Sequence, residues 1–151
     1  MPQKRVYYIP EGSSPLQEKT INCLMQAGKK SVARKIFLDA MNIIGKKENK
    51  NPQEVFNKAI ENIKPTLEIR PKRVGGAIYQ IPVEVPQKRQ ISLALRWLIG
   101  AARASKGKDM CEKLAQEIMS AFQEQGSAFK KKEDLARMAQ ANKAFAHLAK
   151  F

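Results

Sequence analysis

The chain has 151 residues, with 28 Lys or Arg against 14 Asp or Glu, so its formal net charge is +14 and its isoelectric point is near 10.0. Self-repulsion of this size destabilises a compact chain, so a polyanionic partner is expected: nucleic acid first, an anionic membrane second. No apolar run approaches the ~18 residues needed to cross a bilayer, which argues against the membrane.

The first 14 residues show neither a helical nor a strand period. They combine Lys4 and Arg5 with tyrosines, Pro10 and Gly12, which is typical of an extended arm whose order depends on a partner. They contain no apolar signal core, so a secretory signal is not expected. Residues 15–151 are rich enough in apolar side chains for one helical domain with its own core.

Two helices are expected next along the chain. Pro15 occupies a first helical position and opens a helix that ends before Gly28. Ser31 is expected to cap a second helix, with Val32 on its apolar face and Gly45 as its stop.

A third helix and a β-hairpin follow. Asn51 as N-cap and Pro52 at the first position predict a helix start, and Pro65 ends this helix because a residue before proline favours extended backbone. In residues 67–85 the helical period gives way to two runs rich in Ile, Val and Tyr on either side of Gly75-Gly76. Since glycine takes positive φ without steric cost, this pair predicts a tight hairpin turn.

The hairpin is expected to be a protruding basic arm. Arg70, Lys72 and Arg73 lie on its first strand, and a two-residue turn places Tyr79 opposite Lys72. Basic side chains beside an aromatic ring suit RNA, because the charges contact phosphates while the ring stacks on a base or sugar. The alternative is a solvated edge strand whose charges prevent aggregation.

Three more helices are expected after the hairpin. The fourth runs from Pro86 to near Gly107 and has Trp97 in the core, the alternative for Trp97 being a stacking platform. Asp109 is expected to cap the fifth. The last helix begins near Ala128 and runs toward the C-terminus, with four residues facing inward: Leu135, Met138, Phe145 and Leu148.

Basic residues of the helical body form three further candidate sites for RNA. Lys29 and Lys30 lie at a turn just before a helix start, which favours an anion, and the alternative is an ordinary solvated turn. The fourth helix carries Lys88, Arg89, Arg96 and Arg103. The last two lie seven residues apart on one face, and the alternative to RNA contact is salt bridging or extension over apolar surface. Three lysines lie at the start of the last helix: Lys130, Lys131 and Lys132. Positive charges are unfavourable at this positive end of the helix dipole, so these lysines are expected to contact a partner.

Residues suited to catalysis or metal binding are few. His147 is the only histidine, and neither cysteine has a histidine nearby in the sequence. Cys23 and Cys111 match no metal spacing and are expected to be reduced thiols, buried as small hydrophobic groups. There is no phosphate-binding loop motif. We therefore expect no catalytic residues, metal, cofactor or small-molecule substrate.

Four segments, in order along the chain, resemble one family. They are GKKSVARKI from Gly28 to Ile36, RVGGAIYQIPVEV from Arg73 to Val85, ALRWLIGAAR from Ala94 to Arg103, and KKKEDLARMAQANKAFAH from Lys130 to His147. Together they closely resemble the small-subunit ribosomal protein S-seven family in its bacterial and organellar form. The chain departs from the family pattern at Leu135, Ala136, Gln140 and Lys143.

The resemblance implies a primary binder of small-subunit ribosomal RNA that nucleates folding of the subunit head. It implies a place near the exit site of a ribosome in a bacterial cytoplasm or an organelle matrix, beside small-subunit proteins of the head and platform. The arm and the C-terminal helix would lie close to messenger RNA and the departing transfer RNA. The expected rRNA-binding residues are Lys4, Arg5, Lys29, Lys30, Arg70, Lys72, Arg73, Lys88, Arg89, Arg96 and Arg103. The residues expected near messenger or transfer RNA are Gly75, Gly76, Tyr79, Lys130, Lys131, Lys132, Arg137 and Lys143.

The predicted fold is mainly α: a single domain of about six helices, with one protruding β-hairpin arm between the third and fourth. The expected function is structural binding of RNA in the small ribosomal subunit. A DNA-bending architectural protein is the main alternative, since such proteins wedge a proline at an arm tip. Pro71 and Pro82 lie back from the Gly75-Gly76 turn, which argues against it, and no cofactor motif supports an RNA-modifying enzyme.

Overall fold

The computed structural model describes the backbone of residues 8–150 and the side chains of residues 8–149. The expected site residues Lys4 and Arg5 lie outside the described residues. In chain order the elements are α1 (Pro15–Leu24), α2 (Lys30–Glu48), α3 (Pro52–Ile63), β1 (Leu67–Val74), β2 (Ala77–Glu84), α4 (Gln87–Ala104), α5 (Met110–Phe122), α6 (Ser127–Ala141) and a C-terminal 3₁₀ segment (Lys143–Lys150). This confirms the predicted mainly α fold with a hairpin between the third and fourth helices.

The starts of α1 and α3 follow from capping chemistry. Ser14 Oγ accepts a hydrogen bond from the Gln17 amide at 3.2 Å, and Asn51 Oδ1 accepts one from the Gln53 amide at 3.1 Å. Each bond satisfies a backbone donor that the first helical turn leaves without a partner. Both helices begin with the predicted proline.

Three expectations about helix ends are wrong in detail. α2 begins at Lys30, so Ser31 lies inside the helix and does not cap it. Asp109 holds the N-cap position of α5, but its side chain makes no capping hydrogen bond. α2 also continues through Gly45 to Glu48. Gly45 is a contact point rather than a stop, since a Cβ there would lie 3.0 Å from Pro52 Cγ.

The core lies where α5 packs against α2, α3 and α4. Phe37 of α2 and Phe56 of α3 are fully buried and meet edge to face, with their ring centroids 5.4 Å apart. Trp97 is half-buried against this core. The core also contains fully buried side chains from α4 and α5: Leu95, Leu98, Leu114 and Ile118. Burying a side chain of this kind contributes about 1.5–3 kcal/mol.

Three residues that were expected to be buried in the core are exposed. In two of these cases the next residue along the helix is buried instead. Val32 is 51% exposed while Ala33 is buried, and Met138 is 51% exposed while Ala139 is buried. Successive residues of a helix point about 100° apart, so a small rotation of the helix replaces one inward residue by the next. Because alanine is small, the helix can pack more closely against its neighbours with alanine facing inward. Cys23 is likewise exposed, so its thiol is not a core group.

The remaining predicted inward residues of the C-terminal region, Leu135, Phe145 and Leu148, are half-buried. They do not share one long helix, because α6 ends at Ala141 and the chain continues as the C-terminal 3₁₀ segment. This segment packs against β2, while α6 packs against β1. The C-terminal region therefore supports the hairpin rather than only the helical core.

The hairpin has the predicted turn and register. Lys72 lies opposite Tyr79, and Gly75 and Gly76 have φ angles of 57° and 87°. Positive φ at both central residues is what a two-residue type I′ turn requires. Because side chains alternate along a strand, Glu68 shares a face of β1 with Arg70 and Lys72.

Candidate nucleic-acid interface

At the root of the hairpin, one buried carboxylate holds two arginines. Glu68 Oε1 accepts a hydrogen bond from Arg70 Nε at 2.6 Å, and Glu68 Oε2 accepts one from Arg89 Nε at 2.7 Å. Arg70 reaches Glu68 along the same strand face, whereas Arg89 comes from the first turn of α4. The two arginine side chains remain 59% and 47% exposed, so both are open to a partner.

Glu68 is ionised at neutral pH. Burial would raise the pKa of this carboxyl, but the hydrogen bonds from Arg89 and Arg70 outweigh it, and the pKa lies below its ordinary value. The root therefore combines one negative and two positive side chains in direct contact. This cluster of three side chains has a net positive charge and remains attractive to an anion.

The middle of the arm is covered by the C-terminal 3₁₀ segment. Lys72 Nζ donates a hydrogen bond to the Leu148 carbonyl at 2.8 Å. The Tyr79 ring lies against the Phe145 ring, with their centroids 5.1 Å apart. Both predicted contact residues are half-buried on this face, so each makes contacts within the protein.

The tip of the arm is open to solvent. Gly75 and Gly76 are exposed, and the apolar side chains of Val74 and Ile78 are 38% and 69% exposed. Arg73 is exposed on the face opposite to Lys72. The tip therefore offers one charged and two apolar side chains to a partner.

On α4, basic residues form a stripe that continues from the hairpin root. Arg89, Arg96 and Arg103 are seven residues apart in turn and so lie along one helix face. Arg96 and Lys88 are exposed and form no ion pair with any described residue. Arg103 Nη2 instead donates to the Leu24 carbonyl at 3.2 Å, at the C-terminal end of α1. The far end of the stripe therefore also has a structural role.

A second carboxylate with two cationic neighbours lies on α1, where it faces the first turns of α2. Glu18 is bonded by both terminal nitrogens of Arg34, at 2.6 and 3.0 Å, and Lys30 Nζ lies 3.6 Å from it. The Arg34 hydrogen bond, opposed by burial and aided by Ser13, lowers the pKa of Glu18 to about 2. Both lysines predicted to hold an anion here, Lys29 and Lys30, are exposed, and Lys30 also faces Glu18.

On α6 the three lysines have different surroundings. Lys132 Nζ donates to the Asn62 carbonyl at 2.7 Å, in the last turn of α3, where the helix dipole favours a cation. Asn62 in turn donates from Nδ2 to the carbonyls of Ala121 and Phe122, at 3.0 and 3.2 Å. Lys132 therefore helps to join three helices. Of the other basic residues predicted in this region, Lys131, Arg137 and Lys130 lie on α6 and Lys143 begins the 3₁₀ segment, and none of them is buried.

Four residues important to this surface were missed in the sequence: Glu18, Arg34, Asn62 and Glu68. For Glu68 a signal was present, because it is an acid on a basic strand, two residues before Arg70 and hence on the same face. The partners of Glu18 and Asn62 lie 16 and 59 residues away along the chain, and no local pattern specifies them.

The described residues contain no group of three or more His, Cys, Asp or Glu arranged to hold a metal ion. Among these residues, no helix has the length and apolar character to span a membrane.

The family profile described as ribosomal protein S7p/S5e matches residues 1–143. Among similar proteins, the small ribosomal subunit protein uS7 of Thermotoga neapolitana is 58% identical over 132 residues, which cover 87% of this chain and 85% of the relative. The uS7 proteins of Pseudothermotoga lettingae and Dictyoglomus turgidum are 55% and 54% identical, and the matches cover 92% and 91% of this chain and 90% and 88% of the relatives. This chain therefore belongs to the ribosomal protein S7p/S5e family.

Proposed function

We propose that this chain binds small-subunit ribosomal RNA through the root of its hairpin and the adjoining face of α4. As a member of its family it is a structural protein of the small ribosomal subunit. One observation carries the RNA-binding proposal: Arg70 and Arg89 meet at Glu68, so the basic strand β1 and the basic face of α4 form one surface. A continuous basic surface is the electrostatic footprint of nucleic-acid binding.

Two groups of basic residues have different roles in this proposal. Arg73, Lys88 and Arg96 are exposed and form no ion pair within the described part of the chain, so their charges are available to phosphates. Three other side chains bond backbone carbonyls and hold in place the elements that carry the surface: Lys72, Arg103 and Lys132.

The proposal extends to the position of the chain in the subunit. RNA binding by the body nucleates folding of the head, and the arm tip and α6 lie near the exit site, close to messenger RNA and the departing transfer RNA. Support comes from the family resemblance together with the exposed tip at Gly75 and Gly76. Other small-subunit proteins of the head and platform are the proposed neighbours, in a bacterial ribosome like those of its relatives.

The RNA-binding proposal is tested by removing three exposed charges together. A variant with Arg73→Ala, Lys88→Ala and Arg96→Ala should bind a transcribed head fragment of small-subunit ribosomal RNA more weakly. For every phosphate that the variant no longer neutralises, the plot of log affinity against log salt should also flatten by roughly 0.7–0.9. Filter binding or fluorescence anisotropy between low and physiological salt measures both quantities.

The matched control is Lys46→Ala, Lys47→Ala and Lys58→Ala, which removes the same charge from exposed positions on α2 and α3 rather than on the hairpin or α4. It should change the slope much less. Equal slopes for the two triple variants would contradict the proposed surface. Duplex DNA at equal salt serves as competitor, and displacement of the RNA by DNA would favour a DNA-bending protein.

A further inference from the structure

We propose that Glu68 is a positioning residue, which holds Arg70 and Arg89 side by side so that together they bind one RNA phosphate. This inference rests on the proposed function. It gives a negatively charged residue a favourable role in binding a polyanion.

The geometry leaves the outer part of each guanidinium group available. Both arginines bond Glu68 through Nε, at 2.6 and 2.7 Å, and within the described residues no other hydrogen bond engages either group. The two terminal nitrogens of each arginine therefore remain as donors. Because both arginines bond the same carboxylate, the two guanidinium groups are held at one place on the surface, and planar guanidinium groups suit phosphate oxygens.

The surroundings of Glu68 are ordered. Glu68 is buried, with 7% of its surface exposed. At the same root, Gln90 Nε2 donates to the Val85 carbonyl at 3.0 Å, and the Val85 amide donates to the Thr66 carbonyl at 3.1 Å. A long side chain that is already ordered loses less conformational freedom on binding than a mobile one. The Glu68 carboxylate thus orders the two arginine side chains in the free protein, before RNA binds.

The charge balance also suits a phosphate. The cluster of Glu68, Arg70 and Arg89 contains one carboxylate and two guanidinium groups, so these three side chains together carry a net positive charge. The first turn of α4, which carries Arg89, has Pro86 as its N-cap and no side-chain capping bond. The positive end of the helix therefore adds to the attraction for an anion.

The test uses the sign of an affinity change. Glu68→Gln removes a negative charge and raises the formal net charge from +14 by one, so electrostatics alone predicts tighter RNA binding. Positioning predicts the reverse: the cost of ordering two side chains should exceed what the phosphate contact returns, so the contact is lost and binding of the head fragment should weaken roughly tenfold. The salt slope should also fall by roughly 0.7–0.9, since one phosphate fewer is neutralised.

The matched control is Glu84→Gln, which makes the same charge change at an exposed position near the hairpin root. It should bind as tightly as the wild type or more tightly. Stoichiometric titration gives the active fraction, and circular dichroism confirms folding. A merely structural Glu68 would lower the active fraction without changing the salt slope of the folded protein.

A second pair of variants keeps the net charge constant. Arg89→Lys removes the Nε donor and should weaken binding, and adding it to Glu68→Gln should have little further effect, since both act through one contact. Arg137→Lys, at an exposed position on α6 outside the proposed rRNA surface, is its control, since Arg137 likewise pairs with a carboxylate, that of Asp134. If Glu68→Gln does not fold, the comparison of Arg89→Lys with Arg137→Lys decides.

The outcomes separate the two proposals. If the wild-type chain does not bind the head fragment, the proposed function fails and this inference with it. If the wild type binds but Glu68→Gln binds as tightly as Glu84→Gln, the positioning role is overturned while the proposed function stands.

Discussion

At the scale of single residues, two buried glutamates organise much of the positive charge. Glu18 bonds Arg34 and faces Lys30, and Glu68 bonds Arg70 and Arg89. A buried carboxylate without partners would be strongly destabilising, whereas one that is fully hydrogen-bonded fixes the side chains around it. In a chain of net charge +14, these carboxylates fix the positions of Arg34, Arg70 and Arg89.

The Glu18 contact should appear in the pH dependence of stability. Its pKa is lowered from 4.5 to about 2, so its contribution is fully present above pH 4.5 and is lost as the pH falls toward 2. Glu18→Gln should reduce the free energy of unfolding at pH 7 by about 2 kcal/mol, the usual size for a hydrogen bond to a charged group. Urea unfolding at several pH values measures the difference between wild type and variant.

That difference should shrink between pH 4.5 and pH 2, because the wild-type carboxyl becomes protonated in this range. Glu54→Gln, at an exposed position on α3, is the control and should have little effect at any pH. A constant difference between Glu18→Gln and the wild type across the range would show that the charge of Glu18 does not stabilise the fold.

At the scale of elements, the hairpin is held by the C-terminal 3₁₀ segment. A hairpin of two strands is marginally stable by itself in water. Here the segment contributes the Phe145 ring, which packs on Tyr79, and the Leu148 carbonyl, which accepts from Lys72. Since 3₁₀ helices longer than three or four residues are uncommon, packing on the hairpin is the simplest reason for this conformation.

Phe145→Ala should therefore loosen the arm without unfolding the body. The aromatic pair is worth about 0.5–1.5 kcal/mol beyond burial, so its removal should accelerate amide exchange around Tyr79 by roughly tenfold. Amides of α4 and α5 should exchange at wild-type rates. Hydrogen exchange followed by NMR measures both, with His147→Ala, an exposed position on the same segment, as control. Unchanged exchange around Tyr79 would mean that the hairpin is stable without this aromatic pair.

At the scale of the whole molecule, the structure favours a division of labour. The root and α4 combine arginines with a packed core behind them, whereas the tip is exposed and carries the two apolar side chains of Val74 and Ile78. Under the proposed function, the rigid root anchors ribosomal RNA and the tip reaches toward messenger or transfer RNA.

Shortening the arm tests this division. Removing Arg73, Val74, Ala77 and Ile78 leaves Gly75-Gly76 as the turn between Lys72 and Tyr79, which already face each other. Each strand becomes two residues shorter, so the remaining side chains keep their faces. Small subunits should still co-sediment with the shortened chain despite the loss of the Arg73 charge, because Lys88, Arg89 and Arg96 stay in place on α4. Release of transfer RNA from the exit site should change in a translation assay. Failure to co-sediment would place an essential anchor in the tip.

Much of the fold was predictable because local chemistry specifies it. Asn51 with Pro52 set the start of α3, and Gly75-Gly76 set the turn that brings Lys72 opposite Tyr79. These features depend on residues within a few positions of each other. The basic composition likewise indicated a polyanionic partner without any knowledge of the fold.

Which basic residues face a partner was decided only by the tertiary structure. Lys72 bonds a carbonyl 76 residues away, Lys132 one 70 residues away and Arg103 one 79 residues away, and no local pattern distinguishes them from the exposed Arg96. The exposure of Val32 and Met138 has the same origin, since the packing of neighbouring elements determines which side of a helix is buried. The sequence by itself determined the elements, the turn and the sign of the surface. Long-range contacts determined where Glu68 joins strand to helix, because contacts of that kind exist only after the chain has folded.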